Sequence, residues 1–291
     1  MIALSNPEKI ALLTDSTADL PAPMREGKPI YVVPLKIRCE DGEYSDGVDI
    51  TAEGVYERLH RGELPRTSLP EGGVVSDTLD QIRADGYERV IAVMLSSGLS
   101  GTYNMVRLQA GQRDDLEIAV FDSRSGSLGI GIMVLQLWEE IVAGASWETL
   151  VRERAPHLVA NTFPFFSVDT LEYLRRGGRI GRITGPGGHH AVHQAHHHLL
   201  GRRPAPEHRQ GAGPQTGAGQ DPGAAQGPVP IRQTVQPGRG QRRRAGGDGG
   251  VCGPAEGRVS QLRAFWEGVM DATLSVYIGD GVIGGGIQFL D

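Results

Sequence analysis

The feature that most constrains folding is an abrupt change of texture near residue 185. From Lys9 to about Ile183 short apolar runs alternate with helical patterns, as in an ordinary α/β protein. Residues 185–258 then hold 18 of the chain's 42 glycines, 9 of its 18 prolines and 7 of its 9 histidines. They carry nine arginines against four acids, about +5 within a chain whose net charge is −6. No apolar period survives there for more than a few residues. Ordering backbone costs about 1–2 kcal/mol per residue, and this stretch offers little apolar surface to offset it. Residues 185–258 are therefore expected to be disordered or non-native.

On either side of it the pattern is legible. Ile10 to Leu13, Tyr31 to Ile37, Val90 to Leu95 and Ile118 to Phe121 are predicted as buried strands. Val75, Leu79 and Ile82 line one helical face, as do Ile130, Val134, Leu137 and Ile141. Such alternation predicts an α/β fold, a mainly parallel sheet with helices on both faces. Polar function then belongs to the loops leaving the carboxyl ends of the strands. Beyond the break, Gln261 to Asp271 reads as a short amphipathic helix, Leu274 to Ile278 as a strand, Gly279 to Gly281 as a turn and Ile283 to Leu290 as another strand.

Composition excludes several classes. The two cysteines, Cys39 and Cys252, lie far apart with no CxxC, so neither a disulfide framework nor a four-cysteine zinc site is expected. No run approaches eighteen apolar residues, and Met1 to Pro7 lacks a signal pattern, so a cytoplasmic protein without membrane insertion is expected. The three lysines are Lys9, Lys28 and Lys36, and none sits in a Walker phosphate loop. The histidines from His189 to His198 lack accompanying carboxylates and stand among helix breakers, which argues against a metal site. Arg242-Arg243-Arg244 reads as composition rather than a nucleic-acid module. No cofactor is expected.

Three hydroxyl-rich loops carry the functional signal: Thr14 to Asp19 after the first strand, Thr67-Ser68-Leu69-Pro70 between two helical patterns, and Ser96 to Tyr103 after the Val90 strand. Each can be a helix cap, or the loops can converge on an anion through hydroxyls and helix-start amides. An enzyme using Asp15, Ser16 and Ser97 on a small hydroxylated or phosphorylated substrate, as phosphotransferase or hydrolase, is the alternative reading.

These loops, with Asp46-Gly47-Val48-Asp49, Asp122 to Ser125, Leu171 to Leu174 and Gly177-Gly178-Arg179-Ile180, resemble the DegV family of bacterial fatty-acid-binding proteins. Tyr277 to Gly284 is similar to the family's closing His-x-Gly-Pro-Gly-x-x-Gly element. The resemblance implies a two-domain α/β fold, here 1–145 for the head-group domain and 146–291 for an incomplete second domain. It implies binding of a long-chain fatty acid, whose carboxyl is presented to a separate ATP-dependent fatty acid kinase that makes an acyl phosphate for phospholipid synthesis. The chain itself would not be an enzyme. Thr67, one of Ser96 and Ser97 (Ser97 favoured), and Tyr277 would bind the carboxylate, with Arg179 and Ser16 on the side of the head group and partner. Burying about fourteen methylenes at about 0.8 kcal/mol each would supply most of the affinity.

Two departures are local: Leu69 stands where the family has glutamine, and Tyr277 where it has histidine. A phenol donates a hydrogen bond but stays neutral at pH 7. The large departure is residues 185–258, where nothing matches although the spacing to Tyr277 is about the family's. Gly-, Pro-, Arg- and Ala-rich texture is what GC-rich coding DNA yields out of frame, so a reading-frame shift near Gly185, restored near Gln261, is expected. Lipid retention by this chain should then be impaired. Nucleotide sequencing across codons 180–265 checks this; in-frame reads giving the same protein would make the segment a genuine insert.

Overall fold

The computed structural model describes residues 5–180, 191–194 and 269–290. Its centre is a four-stranded, all-parallel sheet in the order β2-β1-β6-β7, formed by β1 (Ile10–Asp15), β2 (Ile30–Val33), β6 (Arg89–Met94) and β7 (Glu117–Asp122). The two inner strands are buried on both faces, which is why they read as unbroken apolar runs rather than alternating ones. Ile10, Leu12, Ile91 and Val93 face α5 (Leu128–Val142), whose Ile130, Val134, Leu137 and Ile141 are almost fully buried. Ala11, Leu13, Val90, Ala92 and Met94 face the other way, packing with Val75, Leu79 and Ile82 of α3 (Gly72–Ala84) and Val106 of α4 (Thr102–Ala110). The α/β architecture and both helical stripes agree with the sequence pattern.

The run Tyr31 to Ile37 is not one strand. It ends at Val33 because Pro34 has no N–H for the sheet, and β3 (Lys36–Cys39) enters a second, antiparallel sheet between β4 (Gly42–Ser45) and β5 (Arg66–Ser68). Thr67 therefore lies in an edge strand opposite Ile37, not in an interhelical loop. Before β5 comes α2 (Ala52–His60), which packs Val55, Tyr56 and Leu59 beneath this sheet.

After α5, the stretch α6 (Trp147–Thr149), a π-helical turn Leu150–Arg154 and α7 (Ala155–Ala160) returns to the first core, where Trp147, Leu150, Ala155 and Leu158 are buried with α5. The chain then forms β8 (Thr162–Val168) and α8 (Glu172–Arg176). A third sheet has the order β10-β8-β9, with β8 antiparallel to β10 (Ile283–Gln288) and parallel to β9 (Ala191–Gln194). Residues 191–194 fall inside the segment expected to lack regular structure. They pair through backbone with the free edge of β8, a contact that needs no apolar period. The rest of that segment, the histidines other than His193, Arg242 to Arg244 and most of the expected helix at Gln261 to Asp271 lie outside the described residues.

Leu274 to Ile278, expected as a strand, belongs to a helix, α9 (Ala272–Ile278). Its β-branched Thr273, Val276 and Ile278 favour a strand by propensity. The cap overrides this: the Asp271 carboxylate accepts the Leu274 N–H at 2.7 Å. Among the described residues no helix is long and apolar enough to cross a membrane.

Within α5, a Cβ at Gly131 would lie 2.5 Å from the Ala18 carbonyl oxygen. Gly131→Ala, which raises helix propensity, should nevertheless destabilise the protein by about 1–3 kcal/mol in urea unfolding. A stabilised variant would mean that α5 does not pack so closely on the turn after β1.

Candidate functional site

Two of the three polar loops leave the carboxyl ends of parallel strands, β1 and β6, whereas Thr67 lies within the antiparallel β5. After β1, Asp15 is fully buried, its Oδ1 accepting from the Thr17 N–H at 3.0 Å and the Thr17 hydroxyl at 2.5 Å, its Oδ2 from the Leu95 N–H at 2.7 Å. Burial pushes its pKa up. Ser16 donates to Asp46 Oδ2 at 2.8 Å and accepts from the Leu35 N–H at 3.1 Å. After β6, Ser97 is tied to Asp122: its hydroxyl donates to Oδ2 at 2.5 Å and its N–H to Oδ1 at 3.0 Å. The Ser96 oxygen accepts the Gly98 N–H, and its own N–H donates to the Ser125 carbonyl. These are capping and loop-fastening roles.

A cavity of about 260 Å³ opens where these loops meet α9 and the start of the motif at Gly177. Its polar part is Thr67, Ser68, Ser100, Arg179, Thr273 and Tyr277, and its apolar part includes Leu35, Leu95, Leu99, Leu274 and Ile278. Thr67 Oγ1 and the Tyr277 hydroxyl are 2.5 Å apart. Arg179 stacks over the Tyr277 ring, 4.9 Å from its centroid, and donates to the Gly177 carbonyl at 2.7 Å and the Leu99 carbonyl at 3.4 Å. Among the described residues no carboxylate forms an ion pair with Arg179, so its charge is left for the cavity.

The motif Gly177-Gly178-Arg179 builds this corner. A Cβ on Gly177 would run into the Tyr277 ring, and Gly178 takes φ +71°, which turns the chain so that the Arg179 N–H reaches the Leu174 carbonyl. Thr67, Tyr277 and Arg179, 210 residues apart at the extremes, are thus brought together. Ser96, Ser97 and Ser16 do not line the cavity. From the Ser96 to Tyr103 loop it is Leu99, Ser100 and Gly101 that do, because the first two serines are taken by Asp122 and the loop itself. Asp15, Ser16 and Ser97, named together in the enzyme alternative, are each engaged in the hydrogen bonds given above.

Beyond Leu99, Leu274 and Ile278 lies a smaller pocket of about 60 Å³, lined almost wholly by apolar groups from Leu128, Pro164, Phe165, Phe166, Met270 and the glycines of β10. On the other side of the Thr67–Tyr277 pair a solvent-facing cleft of about 360 Å³ is bounded by Leu64, Arg66, Tyr173, Arg176 and Arg179. One group of possible metal ligands occurs among the described residues: Cys39, Asp41 and Glu63, within 4.8 Å of one another. The Arg58 guanidinium already fills its centre, 2.8 Å from Asp41 and 3.7 Å from Glu63. Burial also holds the Cys39 thiol up, so these residues do not fit a metal.

Fold and site together define a class: an α/β protein that closes a small cavity, polar at one end and apolar at the other, between a parallel sheet and a C-terminal helix–strand unit. The family model described as "Uncharacterised protein, DegV family" matches residues 9–189, and the chain belongs to that family. A DegV domain-containing protein of Clostridium acetobutylicum is 42% identical over 178 residues, 61% of this chain and 63% of the relative. One of Staphylococcus aureus is 37% identical over 177 residues, with 61% and 62% covered. The chain thus matches less than two thirds of these relatives' length.

Among solved structures, DegV of Bacillus subtilis, a fatty acid binding protein, shares the fold at TM-score 0.73 and 21% identity, over 97% of this chain and 99% of that one. A DegV family protein of Thermus thermophilus, described by its fatty acid binding, gives 0.71 and 22% over 97% and 100%. A stearic acid-binding protein of Eubacterium ventriosum is 29% identical, at TM-score 0.54 over 60% of this chain and 61% of that one.

The Thr67–Tyr277 hydrogen bond joins two half-buried neutral groups and should contribute about 0.5–1.5 kcal/mol. A double-mutant cycle of Thr67→Val and Tyr277→Phe in urea unfolding should return a coupling of that size. Additive effects would separate the two side chains in solution.

Proposed function

We propose that this chain binds a long-chain fatty acid, with its carboxylate at Thr67, Tyr277 and Arg179 and its tail directed past Leu99 and Leu274 toward the apolar pocket. The observation that carries the reading is a pair of hydroxyls and an arginine that, among the described residues, has no carboxylate partner, standing together in a cavity whose larger part is apolar. A carboxylate entering there would take both hydroxyl protons, so the Thr67–Tyr277 bond is exchanged for two charge-assisted ones, each worth roughly 1.5–3 kcal/mol. Arg179 supplies the positive charge that a phenol at 277 lacks. The relatives described as fatty-acid-binding support the same reading.

The finer role follows the family resemblance: the chain acts as a non-catalytic, cytoplasmic carrier that presents the carboxyl to a separate ATP-dependent fatty acid kinase for acyl phosphate formation. The cleft on the outer side of Thr67, with Arg66 and Arg176 exposed at its rim, gives a phosphate-bearing partner an approach to the head group. In this scheme the head group is held from both parts of the chain, by Thr67 from residues 1–145 and by Arg179 and Tyr277 from the described residues of 146–291, and α5, β8 and β10 wall the tail. Because residues 185–258 depart from the family's pattern, retention of the acid is proposed to be weak.

Titration of the purified chain with a fluorescent long-chain fatty acid tests the site. Thr67→Val, Tyr277→Phe and Arg179→Leu should each weaken binding roughly tenfold to a hundredfold, whereas Ser97→Ala should change it little. Unchanged affinity in the first three variants overturns the assignment. Native mass spectrometry should find little bound acid after purification, and a stoichiometric long-chain acid would refute weak retention. Acyl phosphate should form from ATP only when a bacterial fatty acid kinase is added; ATP turnover by the chain alone would make it an enzyme.

A further inference from the structure

The start of α9 is held in an unusual way. Its first amides, with that of the capping residue, are all accepted by carboxylates: the Asp271 N–H by Asp19 at 2.7 Å, Ala272 and Thr273 by Asp46 at 3.0 and 3.2 Å, and Leu274 by Asp271 at 2.7 Å. Asp46 also takes the hydroxyls of Thr273 and Ser16, and Asp19 that of Ser127. Asp19 and Asp46 come from loops more than 220 residues away, so these bonds fasten α9, and with it Tyr277, to the first part of the chain.

Three carboxylates are thereby crowded into one buried spot. Among the described residues no lysine, arginine or histidine forms an ion pair with any of them. The remaining oxygen of Asp271, Oδ2, is fully buried and has no hydrogen-bond partner among the described residues. An ionised carboxylate leaving an oxygen bare in such a place is costly. A protonated Asp271 faces no such cost, because an O–H at Oδ2 donates to a neighbouring carboxylate.

We propose that Asp19 and Asp271 share one proton that latches α9 over the cavity, so that loss of the proton loosens the wall carrying Tyr277. The latch is a property of the chain itself; only its consequence, easier release of a bound fatty acid, rests on the function proposed above.

Burial raises the pKa of Asp19 to about 7, with repulsion from Asp46 adding and hydrogen bonds from Ser127 and Asp271 opposing, and burial with repulsion from Asp19 and Asp46 raises that of Asp271 well above its ordinary value. A folded-state pKa above the unfolded one gives stability that is complete at low pH and is lost as pH rises through the folded value, here about pH 7. The other titratable groups facing the cluster are Asp15, which repels Asp46 and is itself pushed up by burial, and Tyr56 of α2, whose phenol accepts from Ser275 and is also raised by burial. At the far end of α9, His60 of α2 meets Asp280 at 2.9 Å.

Hydrogen exchange of the full chain without added ligand, corrected for intrinsic rates, reads the latch directly. Protection of the Ser275 to Gly279 amides should fall about tenfold between pH 6 and pH 8 in the unmodified protein, the change expected for one proton with a pKa near 7. Asp271→Asn keeps the cap and replaces the proton with an amide N–H, so its protection should change less than twofold over the same range. His60→Gln should still show the fall. Equal protection at both pH values in the unmodified protein, an undiminished fall in Asp271→Asn, or its disappearance in His60→Gln would each overturn the latch. Fatty-acid binding that fails while the exchange result holds would refute the proposed function and leave the latch standing.

Discussion

The structure depends on a set of hydrogen bonds at the start of α9, where four successive amides reach three aspartates. Everything that makes the cavity is downstream of that junction. Asp19 leaves β1, Asp46 leaves the small antiparallel sheet, and both converge on the one helix that supplies Thr273, Leu274, Tyr277 and Ile278 to the cavity wall. A seven-residue helix rich in β-branched side chains has little stability of its own. Its position is imposed by carboxyl acceptors fixed in the first part of the chain, and by packing of Ala272 and Val276 against α2.

The polar loops around this junction are occupied with holding one another. Asp15, Ser16 and Ser97, the residues of the enzyme alternative, and Asp19, Asp46 and Asp122 beside them all make hydrogen bonds to backbone amides or to hydroxyls of these loops. What remains for the cavity is sparse: two hydroxyls that satisfy each other, those of Ser68 and Ser100, and an arginine oriented by two carbonyls. That division lets the polar end be rigid without being crowded.

Much of the fold is legible in the amino-acid sequence. Strands buried on both faces announce themselves as apolar runs, and the α3 and α5 stripes keep helical period, because burial alone decides those residues. Legibility ended where a single residue redirects the chain. Pro34 splits one apolar run between two sheets, and the Asp271 cap turns a strand-like sequence into a helix. In the site, Thr67, Tyr277 and Arg179 could be named from motifs. For Ser97 the sequence does not say whether its hydroxyl points at a cavity or, as in this structure, at an aspartate 25 residues on. Asp46 and Asp271 were missed as fastening residues. A carboxylate followed by small and hydroxylated residues, as in Asp271-Ala272-Thr273, was the available sign of a helix start.

The position of α9 and β10 in the chain has a bearing on biosynthesis. Their partners, the Asp19 turn, the Asp46 turn and the face of β8, are translated long before residues 269–290. On the ribosome, the buried carboxylates and the apolar surface of β8 must wait in water for a segment made more than a hundred codons later. Contacts of such sequence separation form slowly. The nascent chain therefore passes through a stage with its parallel sheet complete and its cavity absent, and that stage is where chaperones or proteases would meet it.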